Sequence, residues 1–189
     1  MVDNLYSQLQ HHPNIGISCL YADYKDQTTQ TLVHILGSFL RQFLTTTQEP
    51  IPNEIIQKLQ DIQRKGGKVG LEDNLALLRI RILQLKCVFI CIDALDELES
   101  KVLRQLLNTL KELGSNNIRL FITGRSHVES EVQKYFQATQ IYTVAICANE
   151  EDIKTFVNTQ IIDDPYPDAM DEALEKDLIS TIIKKSQGM

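Results

Sequence analysis

Residues 87–99 read CVFICIDALDELE, and this stretch decides the fold. Six residues in a row, from Cys87 to Ile92, are apolar, and Val88, Ile90 and Ile92 are β-branched. Apolar and polar residues do not alternate, so both faces of the segment ask for cover. That pattern suits a strand in a parallel sheet flanked by helices. The run stops at Asp93, and Asp96 and Glu97 follow close behind. Ligands of open α/β sheets bind beyond the carboxyl ends of the strands. Three carboxylates there stand where chemistry takes place. The plainer reading is that Asp93 ends a strand and that Asp96 and Glu97 open a helix, where acids favour the positive end of the dipole.

Upstream, Ile15–Tyr21 is a short apolar strand, and residues 23–27 (DYKDQ) form a polar turn. Thr28 or Asp26 is the expected cap of the next helix. In that helix Leu32, Ile35, Leu36, Phe39, Leu40, Phe43 and Leu44 recur at helical spacing. Pro50 and Pro52 separate it from a second helix, in which Ile55, Ile56, Leu59 and Ile62 share a face. Residues 64–70, RKGGKVG, imitate a phosphate loop. The motif needs G-x-x-x-x-G-K-[ST] after a buried strand. Here Ile62 stands five before Gly67, Val69 replaces Ser/Thr and the preceding segment is helical. The stretch therefore reads as an exposed connector. Leu71, Leu75, Leu78, Ile82 and Leu85 predict a helix leading into the central strand. At the amino end, Val2, Leu5, Tyr6 and Leu9 predict a helix over residues 1–10, closed before Pro13.

Downstream, Val102, Leu103, Leu106, Leu107, Leu110 and Leu113 mark an amphipathic helix closed at Gly114. Ile118–Ile122 is a second buried strand, IRLFI, followed by Thr123, Gly124 and Arg125. Residues 128–136 predict a short helix, and residues 141–146 a fourth apolar strand. Asn149 caps a helix that opens on Glu150, Glu151 and Asp152. Residues 163–168 make a rigid break before a last helix that carries Leu174, Leu178, Ile182 and Ile183.

The 189 residues carry a net charge of −6, which argues against a general grip on nucleic acid. Cys19, Cys87, Cys91 and Cys147 lie in apolar runs, with no C-x-x-C spacing and no His beside them. They read as reduced, buried thiols of a cytoplasmic protein rather than zinc ligands. No signal peptide is visible, and no apolar run approaches the length that spans a bilayer. Neither a membrane nor a nucleic acid is an expected partner.

An apolar run ending in Asp93, then Asp96 and Glu97, resembles the Walker B motif of P-loop NTPases. The form DALDE is similar to the NACHT family of STAND-type signalling NTPases, and most closely to its nephrocystin-type N-terminal modules. The ADYKDQTTQT stretch and its helix share that likeness. The resemblance implies an α/β fold with a three-layer, mostly parallel sheet that lacks its first strand, and a small helical part at the C-terminal end. It implies a truncated nucleotide-binding domain over residues 1–147 and the start of a helical domain over residues 148–189. It implies Asp93 as the Mg²⁺-side carboxylate, acting through water, and Asp96 and Glu97 as the pair that positions the attacking water. Ile118–Ile122 would be the sensor strand, with Arg125 reaching the terminal phosphate. The family more often has Ser where this chain has Gly124. Asp23 and Asp26 could lie near the nucleotide, though a solvated turn accounts for them.

The intact family uses Mg²⁺ with ATP or GTP and changes its assembly state. These 189 residues contain no Walker A loop, so the β- and γ-phosphates lack their backbone cradle and Lys. The expectation is a truncated switch module, inactive alone, that binds nucleotide where an upstream loop is present and otherwise meets copies of itself or partner domains of a repeat-containing parent. A scaffold module on the same fold is the second reading. A metal-dependent nuclease or phosphatase is the third, and it would want further acids or His on neighbouring strand ends. In the NTPases that the chain resembles, the loop-bearing strand lies between the sensor strand and the last strand. Ile15–Tyr21, residues 87–92 and Ile118–Ile122 are then expected side by side in that order. Residues 141–146 are expected beyond a vacant slot, or slid inward to fill it.

Overall fold

A computed structural model describes residues 7–9, 12, 14–47, 50–114, 116–137, 140–146, 149–163 and 171–186. Three strands form one parallel sheet in the order β1 (Ile15–Tyr21), β2 (Cys87–Asp93), β3 (Ile118–Ile122), so the expected order holds and β2 is central. The register is continuous, from Ile15↔Cys87 to Tyr21↔Asp93 and from Val88↔Ile118 to Ile92↔Ile122. The helices are α1 (Leu32–Thr45), α2 (Asn53–Arg64), α3 (Leu71–Gln84), α4 (Ser100–Leu113), α5 (Glu129–Phe136), α6 (Glu150–Ile162) and α7 (Glu172–Ser186). The chain divides into two compact units, residues 1–141 and 142–189.

In the first unit both crossovers step the same way across the sheet. A right-handed crossover then places their helices on one face. Val88, Ile90 and Ile92 accordingly share one core with Leu36 and Phe39 of α1, Leu77 and Leu78 of α3, and Leu106 and Leu107 of α4. Ile17 and Cys91, which alternation turns to the opposite face, are buried but stand outside that core, and Phe121 on that face is exposed. Among the described residues, then, one helix layer shares a continuous core with the sheet. In the second unit α6 and α7 pack together and bury Val157 and Ile183. No helix among the described residues is long and apolar enough to cross a membrane.

The local signals can be checked one by one. The cap of α1 is Thr31, whose hydroxyl accepts from the His34 N–H at 3.4 Å, and not Thr28 or Asp26. The Asp26 carbonyl accepts from the N–H groups of Thr29 and Gln30 and so holds the preceding turn apart from the helix. Gly66 lies at φ 66° and closes α2 in a Schellman motif, with Gly67 N–H donating to Ile62 O and Gly66 N–H to Gln63 O. The glycines of RKGGKVG therefore end a helix. Asn149 caps α6, its side chain accepting from Asp152 N–H at 2.8 Å.

Residues 141–146 are not a strand: they carry no ladder, and Tyr142, Val144 and Ile146 are exposed. An apolar segment becomes a strand only where a neighbouring edge takes up its N–H and C=O groups, and among the described residues no strand pairs with β3 opposite β2. The predicted helix over residues 1–10 is seen at residues 7–9. Its remainder, Cys147 and most of the break at 163–168 lie outside the described residues.

The outer edge of β1 is sealed by side chains. Gln42 accepts from Cys19 N–H at 2.8 Å and donates to Cys19 O at 2.9 Å. Gln30 accepts from Asp23 N–H and donates to Tyr21 O, each at 3.2 Å. Two amides thus imitate the ladder that another strand would supply. Behind them the fully buried Arg81 of α3 donates to Phe43 O, Pro50 O, Gln84 Oε1 and the Thr47 hydroxyl. Its cation sits against the carbonyl-rich end of α1, where the helix dipole favours positive charge.

Candidate functional site

All three strands point their carboxyl ends the same way, and Asp93, Asp96, Glu97 and Arg125 gather there. Asp93 ends β2 in register with Tyr21 and is exposed. The Thr123 hydroxyl, just past β3, donates to Asp93 Oδ1 and accepts from Ala94 N–H at 3.0 Å. Thr123 N–H donates to Ile92 O, and Leu95 N–H to Thr123 O, each at 2.9 Å. Ala94 lies in the left-handed region at φ 55° and ψ 47°. For a residue with a Cβ this costs about 1–2 kcal/mol, and the bonds to Thr123 hold it there. The reversal folds the 3₁₀ turn Leu95–Glu97 back over the strand end.

Asp96 is nearly buried, its side chain 7% exposed. Its Oδ1 accepts from Arg125 N–H at 3.1 Å, and its Oδ2 lies 3.4 Å from Arg125 Nε. The arginine side chain is itself 78% exposed, so its guanidinium reaches outward from an anchored base. Glu97 turns the other way, and its Oε2 accepts from Tyr24 N–H beyond β1 at 3.2 Å. Three acids that are neighbours in sequence are thus held by three different partners. Asp23 caps the turn Tyr24–Asp26 by accepting from Lys25 N–H at 2.8 Å, and Asp26 is exposed.

Gly124 is explained by a close approach rather than by a left-handed backbone. A Cβ there would stand 2.9 Å from Val128 Cγ2 and 3.3 Å from Asp96 Oδ1. The missing side chain lets the segment after β3 close over the Asp96 carboxylate.

The donor set can be tested against a metal. Mg²⁺ keeps several waters and takes one or two carboxylates plus phosphate oxygens. An exposed Asp93 with Oδ1 fixed by a hydroxyl suits that role. Among the described residues no three His, Cys, Asp or Glu side chains converge to hold a metal alone. Among the described residues, then, the cluster offers no protein-only metal centre.

One concavity lies elsewhere. It measures about 580 Å³ and opens at the amino end of the sheet, between His12, Asn14, Lys86, Asn117 and Arg119. We place the site at the carboxyl end because the carboxylates and the guanidinium converge there. Sequence reasoning gave Thr123 no role, yet a signal was present. Setting the ends of CVFICI and IRLFI level puts Thr123 beside Asp93, as Ile92↔Ile122 requires. The bond from Tyr24 to Glu97 had no such signal, because it depends on how the turn after β1 folds.

A family model described as Nephrocystin 3, N-terminal, matches residues 1–125, which take in all three strands, the acid cluster and Arg125. No curated protein and no solved structure matches the chain. With 125 of 189 residues matched, the chain belongs to the Nephrocystin 3, N-terminal, family.

Proposed function

We propose that the chain is the metal-side part of a NACHT-type nucleotide switch, on a P-loop NTPase-like sheet. The observation that carries this reading is the gathering of Asp93, the Asp96–Arg125 pair and Glu97 at the carboxyl end of a parallel sheet. In it Asp93, whose Oδ1 is held by the Thr123 hydroxyl, would be the residue that holds the hydrated Mg²⁺. The metal, when bound, neutralises charge on the phosphates. Glu97, tied by one oxygen, orients the attacking water. Asp96 fixes the root of Arg125, whose guanidinium meets the terminal phosphate. The phosphate loop is not among these residues, so affinity for nucleotide is weak. Partners are further domains of a longer protein or copies of the chain.

The test is a titration of the chain with ATP and Mn²⁺ in place of Mg²⁺, read by paramagnetic broadening of backbone amides. Broadening centred on Asp93 and Thr123, and lost in Asp93→Asn, is expected. Broadening centred elsewhere, or micromolar ATP affinity without a phosphate loop, would refute the reading. A second reading, a non-catalytic interaction module on the same fold, draws on the two Asp96 oxygens being taken up by Arg125. In a form that carries a phosphate loop, Glu97→Gln should slow turnover more than it weakens binding, because water activation acts in the chemical step. Unchanged turnover would favour the second reading.

A further inference from the structure

Cys19 and Cys91 are register partners on adjacent parallel strands. Alternation turns both side chains to the sheet face that lies outside the main core. Their thiols are hydrogen-bonded to each other. Cys91 is 3% exposed, whereas Cys19 is half-buried. Cys19, the more exposed of the two, is the sulfur that an oxidant meets first.

Neighbouring strands stand about 4.8 Å apart, which puts paired Cα atoms inside the span a disulfide bridges, about 4.4–6.8 Å. Paired Cβ atoms at the same spacing lie slightly beyond the usual ~3.5–4.5 Å. Gln42 grips both backbone groups of Cys19 from the other side. A bond that includes the half-buried Cys19 is open to exchange with a small thiol, which is the mark of a labile disulfide rather than a structural one.

We propose that Cys19 and Cys91 are a redox modification site that closes reversibly into a disulfide between β1 and β2. The oxidant is a peroxide. The Cys19 thiolate attacks one peroxide oxygen, the O–O bond breaks, and Cys19 becomes a sulfenic acid as water leaves. The Cys91 sulfur then attacks the Cys19 sulfur, the S–O bond breaks, and a second water carries off the Cys91 proton. Two thiols and one hydrogen peroxide give one disulfide and two waters. A small thiol restores the pair by exchange through a mixed disulfide. The link lies two residues below the Tyr21↔Asp93 pair, so it ties β1, which leads into the turn with Tyr24, to the strand that carries Asp93.

The test uses the full chain with Cys87→Ser and Cys147→Ser, which leaves Cys19 and Cys91 as its thiols. After hydrogen peroxide, the expected product is monomeric, lighter by two hydrogens, and without reactive thiol when unfolded. Glutathione should return both thiols. If that variant does not fold, the wild-type chain serves. Trypsin should then leave residues 1–25 joined to residues 87–101, and fragmentation should place the bond at Cys91 rather than Cys87. Oxygen added to Cys19 without a cross-link, a bond to Cys87 or Cys147, a link only between chains, or a glutathione-resistant bond would each overturn the proposal.

Discussion

Gly124→Ala is a sharp probe of the site, because one methyl group is placed where the structure has no room for it. The new Cβ would stand 2.9 Å from Val128 Cγ2 and 3.3 Å from Asp96 Oδ1. Val128 is β-branched and stiff at χ1, so it cannot swing away cheaply. Asp96 is held by two contacts to Arg125 and is nearly buried. Overpacking of this kind costs about 1–3 kcal/mol. Alanine narrows the unfolded ensemble and returns about 0.4–1 kcal/mol. The net loss should be about 1–2 kcal/mol, or a fall in Tm of about 2–8 °C for a chain of this size. The chain has no Trp, so urea and thermal unfolding are best followed by circular dichroism. Val128→Ala in the same chain should recover a good part of the loss, giving a coupling of about 0.5–1.5 kcal/mol in the double-mutant cycle. Additive effects, or a Gly124→Ala chain as stable as wild type, would refute the close approach and with it the tight seat of Asp96.

Other expectations follow from groups described above. Arg81→Ala removes the hydrogen bonds that a buried guanidinium gives to Phe43, Thr47, Pro50 and Gln84 and leaves the end of α1 without its cation, so a loss of about 3–5 kcal/mol should appear in the urea midpoint. The Cys91 thiol is pushed up in the folded chain, so the folded state holds its proton longer than the unfolded one. Its contribution is therefore complete below the unfolded value of about 8.5 and is lost as pH rises through the folded value. Urea melts between pH 8 and 10 should fall less steeply for Cys91→Ala than for wild type, and equal slopes would contradict the burial argument.

The strands were legible because each is a continuous apolar run with a sharp polar stop. Their order was legible through the family resemblance. Residues 141–146 show the limit of such reading. Their composition suits a strand, but a strand exists only in a pair, and no residue in IYTVAI reports whether a partner edge is at hand. The cap of α1 failed for a different reason. Asp26, Thr28 and Thr31 are all competent caps, and the choice fell to the turn Tyr24–Asp26, whose last carbonyl holds Thr29 and Gln30. Sequence placed Asp93, Asp96, Glu97 and Arg125 at one end of the sheet. It did not reveal that Asp96 and Arg125 hold each other, because that contact depends on how closely the chain after β3 passes β2.

Each of the three acids is fixed by a part of the chain distant in sequence: Asp93 by Thr123 after β3, Asp96 by Arg125 beyond it, and Glu97 by Tyr24 after β1. The site therefore depends on how the three strand ends stand relative to one another. The two sides of the sheet differ in how readily they can move those ends. On the β1 side, Gln42 and Gln30 already satisfy the backbone groups that another strand would use. On the β3 side no such amides are seen among the described residues. Displacing the two paired amides would cost a strand that joined at β1. β3 leads directly into Thr123, Gly124 and Arg125, so whatever pairs there bears on Asp93 and Asp96 together. A shift of β3 along β2 by a fraction of a residue would break the Thr123 bridge to Ala94 and release the left-handed turn that carries both acids.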